Sequence, residues 1–266
     1  MSCWFSFLFG QTIPIGHAHN DYLHKHPLTD ALSFGFKSIE IDVFLRKGKL
    51  VVAHVPIGLD SKKDIVELYL EPIKKRIELN GGAVYKGDST PLIFMIDFKT
   101  NGDSTYSKLE EVLQPYKKYL TTYDANGNMK FGALSINISG RVPANVLGKT
   151  ERWVTIDGNI SNRNDTTPAN FMERVSSPYN SYFSWKGMGT MPKEQKALLV
   201  KLTEEAHAHG RQIRFYALPQ NEAVWLELLD AGVDWLNIDK LEKFANFWSI
   251  YGKVHGRPKS CHCVRL

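Results

Sequence analysis

The sequence predicts an α/β fold, a single-domain (β/α)8 TIM barrel, on three observations. Strand-like and helix-like segments alternate across roughly 240 residues, in units of the length that closes such a barrel. Segment 92–98, LIFMIDF, is a nearly continuous apolar run of strand length, as expected for a parallel strand covered on both faces. Polar residues gather directly behind the first apolar runs, where a parallel barrel carries its functional groups. An open doubly wound sheet is the alternative. Its usual glycine-rich loop is missing: the turn after the first strand reads Gly16-His17-Ala18-His19-Asn20, with neither Gly-x-Gly-x-x-Gly nor Gly-Lys-Ser/Thr.

Taken in order, TIPIG at 12–16 reads as a short strand, and a short helix follows over 27–34. Residues 37–45 (KSIEIDVFL) alternate, with Ile39, Ile41 and Val43 on one face and Glu40 and Asp42 on the other. Lys47-Gly48 turns the chain into a returning strand at 50–53. Ile65, Leu68, Tyr69, Ile73 and Ile77 keep helical spacing over 63–79. Strand 92–98 precedes a helix over 104–119, opened by Ser104 as its cap. Strands are expected at 131–138, 153–156 and 182–185. A helix over 192–209 has Pro192 in its first turn and Gly210 beyond its end. His207 and His209 are expected at its C-terminus, where the dipole favours cations. Strand 212–218, helix 221–230, strand 233–238 and helix 241–251 complete the alternation. Trp225, Trp235, Phe244, Phe247 and Trp248 fall on core spacing.

The chain has 266 residues, 43% apolar and 23% charged, which is enough to bury a full core. Its net charge of +5 is spread out, so no basic tract suits nucleic acid. The balance weakly favours an anionic substrate or membrane surface. Cys3, Cys261 and Cys263 stand near the ends in no Cys-x-x-Cys pair and support neither a disulfide framework nor zinc. Residues 1–11 contain the apolar run CWFSFLFG, read as a signal-peptide remnant or an N-terminal extension. A secreted or periplasmic location is the expectation, and a cytoplasmic one the alternative. No stretch reaches the roughly 18 apolar residues of a transmembrane segment, which leaves peripheral membrane contact open. The barrel is expected over 12–252, with a tail over 253–266. The oligomeric state is not readable.

Four places carry chemistry. His17 and His19, two apart behind the first strand, share a side if the chain stays extended. Glu40 and Asp42 aim two carboxylates into one space, and their repulsion calls for a cation between them. A hard divalent ion with oxygen ligands supplies it. His54 ends the returning strand. Asp97 and Lys99, again two apart, add a third carboxylate and a positive charge suited to a phosphate oxygen. Together these groups suit metal-assisted phosphoryl transfer.

The ordered set His17, Glu40-x-Asp42, His54, Asp97-x-Lys99, with gaps of 23, 2, 12, 43 and 2 residues, resembles the phosphatidylinositol-phospholipase-C-like phosphodiesterase superfamily. Within it, the chain is similar to the glycerophosphodiester phosphodiesterase branch and the related sphingomyelinase D enzymes. Ala231-Gly232-Val233-Asp234-Trp235-Leu236-Asn237-Ile238-Asp239 resembles the last-strand signature. The resemblance implies a phosphoric diester hydrolase of lipid metabolism, acting on a glycerophosphodiester or phospholipid-like substrate. It implies His17 and His54 as acid and base in unassigned order, and Glu40, Asp42 and Asp97 as ligands of one magnesium or calcium ion. Lys99 would contact phosphate. The family's His-Arg-Gly is absent here, so Asn20 or Arg214 would substitute for its arginine, and Tyr216 stands where a tryptophan is common. Asp157 and Asn159 are candidates to line the pocket, and Lys186 a candidate for an anionic head group. A sphingomyelinase D-like cyclising enzyme and a non-catalytic phosphate-binding barrel are the alternatives.

Overall fold

Eight parallel strands close on themselves in the computed structural model, which describes residues 12–146, 149 and 151–255. The expected N-terminal extension and residues 256–266 of the expected tail lie outside the described residues. The strands are β1 (Ile13–Ala18), β2 (Phe36–Arg46), β3 (Leu92–Phe98), β4 (Leu134–Gly140), β5 (Val154–Asn159), β6 (Arg174–Pro178), β7 (Gln212–Tyr216) and β8 (Trp235–Ile238). Each pairs with the next, and β1 pairs with β8 to complete the cylinder. The β2 strand runs on past the barrel and returns as an antiparallel hairpin strand, Lys49–Val52, which sets His54 back beside the strand ends.

The helices are α1 (Thr29–Ser33), α2 (Glu71–Leu79), α3 (Gly102–Leu113), α4 (Lys193–Ala208), α5 (Glu222–Asp230) and α6 (Leu241–His255). Among the described residues, the connections from β4 to β5 and from β5 to β6 carry short 3-10 turns instead of helices. The core is one cluster running between the outward faces of the strands and the helices, and it includes Ile39, Ile41, Val43, Phe94, Ile96, Trp225 and Phe244. No helix among the described residues is long and apolar enough to cross a membrane.

Three expected elements differ, each for a local reason. The helix expected over 63–79 opens with a π-helical turn, Val66–Leu70, before α2. Pro72 stands in the first turn of α2 and has no N–H to continue a regular ladder backwards. The cap of α3 is Asn101 and not Ser104: the Asn101 side chain accepts from Ser104 N at 3.0 Å. A 3-10 stretch, Gln114–Tyr119, then takes over where Pro115 stands. The strand expected at 182–185 is not there. The sixth strand is Arg174–Pro178, and Tyr182 and Phe183 instead pack on Phe215 at ring separations of 6.2 and 5.3 Å.

Of the two histidines expected to cap α4, His209 bonds a helix carbonyl, whereas His207 turns to a carboxylate outside the helix. His209 Nδ1 lies 2.9 Å from the Glu205 carbonyl oxygen, and His207 Nε2 lies 2.8 Å from Asp234 Oδ2. The hydrogen bond to Asp234 raises the His207 pKa above its ordinary 6.5, outweighing partial burial. A raised folded-state pKa means that this contribution is complete below about pH 6.5 and is lost as pH climbs through the raised value. Replacing His207 with Gln should therefore lower Tm by about 2 °C or more at pH 5.5 and by less at pH 9. Calorimetry at the two pH values checks it.

Candidate active site

Strand register builds the site in rows. Asp42 is level with Asp97, and Asp97 with Ser139. Ser38, His17 and Asn237 make a second row, and Arg214, Ser176 and Asn159 a third. Alternation turns these side chains inward, so the upper half of the barrel interior is polar. Above it opens a cleft of about 580 Å³ lined by His19, Glu40, His54, Asp97, Lys99 and Arg214, with Asn20, Asp42, Asp157, Asn159, Ser176 and Tyr216 also on its wall. A larger cavity of about 800 Å³ lies at the opposite end, among Ile15, Ile93, Tyr123, Phe131 and Trp235. It lacks the carboxylate trio of the smaller cleft.

Glu40, Asp42 and Asp97 each offer an oxygen within 4.8 Å of the others. Two cations make this tolerable. Lys99 Nζ lies 3.2 Å from Asp42 Oδ1 and 2.8 Å from Asp97 Oδ1. Burial would lower the lysine's pKa, but the two carboxylates raise it, so Lys99 is a fixed positive charge. Arg214 is almost fully committed. Its Nε donates to Ser176, Nη1 to Glu40 at 2.7 Å and Asn237 at 2.9 Å, and Nη2 to Asp157 at 3.2 Å. Burial alone would raise the Glu40 pKa, yet Arg214 and the His17 hydrogen bond hold it well below the usual carboxylate range. Asp42 goes the other way: burial raises it, and Lys99 and Tyr22 offset this only in part.

His17 does not reach the cleft, which corrects the expectation of a cleft-facing imidazole at this position. It has no exposed surface; Nδ1 lies 2.7 Å from Ser38 Oγ and Nε2 2.6 Å from Glu40 Oε2. Burial and the neighbouring Arg214 lower its pKa to about 3, against the opposing pull of Glu40. The ring is therefore neutral near pH 7, and its contact with Glu40 is a hydrogen bond, not an ion pair. The imidazole on the cleft wall is His19, one layer higher. Its Nδ1 lies 2.7 Å from Asp239 Oδ1. Burial works to lower its pKa, but the Asp239 hydrogen bond and the charge of Glu40 leave it raised.

The other expected residues divide. His54, Lys99, Asn20, Tyr216, Asp157 and Asn159 all line the cleft. Arg214 lines it too, but its donors are held by protein acceptors, as above. Lys186 is exposed and not part of the wall, and its carbonyl is tied to Asn221 at 3.0 Å. Residues that sequence reasoning left out include Tyr22, Ser139, Gly140 and Ser176. Gly140 carried a readable signal as the glycine after an apolar run. Its φ is +74°, and a Cβ there would stand 2.5 Å from Asp97 Oδ1, so only glycine lets Asp97 keep its place.

A family model for the AIM6-like phosphodiesterase domain matches residues 8–157, more than half of the chain. The chain belongs to the AIM6-like phosphodiesterase domain family. The matched span includes His19, Glu40, Asp42, His54, Asp97 and Lys99. Altered inheritance of mitochondria protein 6 of Eremothecium gossypii is 29% identical over 266 residues, covering 87% of this chain and 68% of that protein. The protein of the same name from Candida glabrata is 25% identical, covering 88% of this chain and 71% of its own length. Among solved structures, a glycerophosphodiester phosphodiesterase from Parabacteroides distasonis aligns with 90% of this chain and 100% of its own, at a TM-score of 0.51 and 14% identity. At that identity the likeness concerns the barrel alone.

The Arg214 network makes a stability prediction. Arg214→Met should cost about 3–5 kcal/mol, because Glu40 and Asp157 would be left buried without their cation. Urea denaturation at pH 7 measures it. A loss below about 1 kcal/mol would mean that the buried charges are compensated elsewhere.

Proposed function

We propose that this chain is a metal-dependent phosphoric diester hydrolase acting on a glycerophosphodiester or phospholipid-like substrate. The observation that carries the reading is the trio Glu40, Asp42 and Asp97, three oxygen donors within 4.8 Å of one another on the wall of a cleft that also holds two imidazoles. The donors fit a hard divalent cation, magnesium or calcium: all are carboxylates, and buried Asp42 Oδ1 accepts no well-formed hydrogen bond. When bound there, such an ion would polarise a non-bridging phosphate oxygen.

The chain's own groups supply the proton transfers. His54 Nδ1 lies 3.1 Å from Asp42 Oδ2, which leaves Nε2 to take the proton from the attacking hydroxyl. His19, kept more readily protonated by Asp239, donates to the leaving alkoxide. In this reading His19 takes the place that His17 was expected to hold, and His17 instead orients Glu40 from beneath. Lys99, Asn20 and Tyr216 face the phosphate and its substituents. Arg214 acts on substrate only through Glu40 and Asp157.

Activity toward glycerophosphodiesters, phosphatidylinositol and sphingomyelin-type lipids, with added magnesium or calcium, tests the reading, and EDTA should abolish it. Turnover that survives the chelator would remove the metal. No turnover on any of these or on bis(p-nitrophenyl) phosphate would favour the non-catalytic barrel. A cyclic phosphate seen by phosphorus NMR would place the enzyme with the cyclising type. His19→Ala and His54→Ala should each lower kcat by about two orders of magnitude or more.

The acid role of His19 has a pH signature. An acid must be protonated, so kcat/KM falls as pH rises through the His19 pKa. Asp239→Asn removes the largest charge-based support for the protonated ring, leaving burial and Arg214 to lower its pKa and Glu40 to oppose them. The alkaline limb of the profile should therefore move to lower pH. A shift to higher pH, or none, would exclude His19 as the acid.

A further inference from the structure

The hydroxyl of Tyr22 stands where the groups of the proposed reaction meet. It donates to Asp42 Oδ2 at 2.8 Å, and His54 Nδ1 lies 3.2 Å from it. Asn20 Oδ1 is 3.3 Å away. Asp42 Oδ2 and His54 Nδ1 are themselves 3.1 Å apart, so tyrosine oxygen, carboxylate oxygen and imidazole nitrogen form a closed triangle. A hydroxyl has one proton to donate and lone pairs to accept with. The shorter contact, to the carboxylate, takes that proton.

The triangle then dictates the histidine's proton. Were Nδ1 bare, its lone pair would face a carboxylate oxygen and a phenol oxygen whose proton points elsewhere, with no hydrogen in either of its two contacts. A proton on Nδ1 satisfies both oxygens. We propose that Tyr22 is a positioning residue that locks His54 in its Nδ1–H tautomer against Asp42 Oδ2, leaving Nε2 bare toward the cleft. The consequence for catalysis rests on the reading of His54 as the base; the tautomer does not.

The loop is built to hold this hydroxyl still. Asn20 adopts a left-handed backbone, φ 47° and ψ 47°, which starts the one-turn 3-10 helix Asp21–Leu23. Asp21 is fully buried and pins that turn, accepting from Leu28 N at 2.5 Å and from the Tyr69 hydroxyl at 2.7 Å. The Tyr22 ring packs against the core cluster. Tyr69 thus anchors the same loop by the same kind of bond but hydrogen-bonds to Asp21 and not to Asp42 or His54, which makes it the natural control.

The test is the side-chain nitrogen spectrum of His54 in the full chain at pH 8.5 without metal, in wild type, Tyr22→Phe and Tyr69→Phe. The wild type should show a protonated Nδ1 and a bare Nε2. Tyr22→Phe should show a mixture of tautomers. Tyr69→Phe should keep the wild-type pattern while losing thermal stability. On a turned-over substrate, Tyr22→Phe should lower kcat about tenfold with KM little changed, the scale of one hydrogen bond to a charged group. A wild-type ring protonated on Nε2 would overturn the proposal with no variant needed, even if Tyr22→Phe failed to fold. A Tyr22→Phe spectrum identical to wild type would overturn it too. An absence of turnover, by contrast, bears on the hydrolase reading and leaves the tautomer result standing.

Discussion

Three carboxylates brought within 4.8 Å of one another in a barrel interior repel strongly, and the upper half of this molecule is arranged around that repulsion. Arg214 answers it from below and Lys99 from the side. The two cations divide the trio. Glu40, bonded to Arg214 and His17, is ionised throughout the ordinary pH range, whereas Asp42 is raised by burial that Lys99 only partly offsets. The acid most in need of a further positive charge is thus the one with an oxygen free of well-formed hydrogen bonds. Removing Arg214 would strand Glu40 and Asp157 together, because a single guanidinium serves both.

Most donors of Arg214 are held within the protein. A phosphate-gripping arginine needs hydrogens pointing into the cleft. Here the guanidinium spends four of its five on Ser176, Glu40, Asn237 and Asp157. Competing for any of them would break a buried charge-assisted bond, which costs more than an exposed contact returns. Lys99, about 30% exposed in its side chain, retains room to face an anion while still holding the carboxylates. The acid cluster is thus supported by one buried cation and one partly exposed cation.

Much of this was legible in the sequence because alternation is a local property. Glu40 and Asp42 had to share a face, Asp97 and Lys99 had to leave an apolar strand together, and the turn at Lys47-Gly48 had to bring His54 back beside Asp42. The hidden parts depend on neighbouring strands. The strand Arg174–Pro178 was missed because its inward residues, Arg174 and Ser176, are polar, and Val175 is the one large aliphatic side chain between them. A hydrophobic pattern cannot announce a strand whose inner face joins a polar network. The aromatic run at 182–185 imitated that strand because it packs on Phe215 from outside the sheet.

The exchange of His17 for His19 has the same origin. Alternation placed both imidazoles on one face, as expected, but it carries no information about depth along the barrel axis. Depth is decided by register: His17 is level with Ser38 and Asn237, beneath the acids, while His19 lies past the last residue of β1. One layer changes the chemistry of the same side chain. The lower ring is stripped of water and faced by Arg214, so it is neutral and serves as a hydrogen-bonding strut. The upper ring faces Asp239 and the cleft; burial works to lower its pKa, but the Asp239 hydrogen bond and the charge of Glu40 leave it raised. A buried, hydrogen-bonded polar floor thus lies beneath titratable groups that stand one layer above it, where the loops after the strands begin.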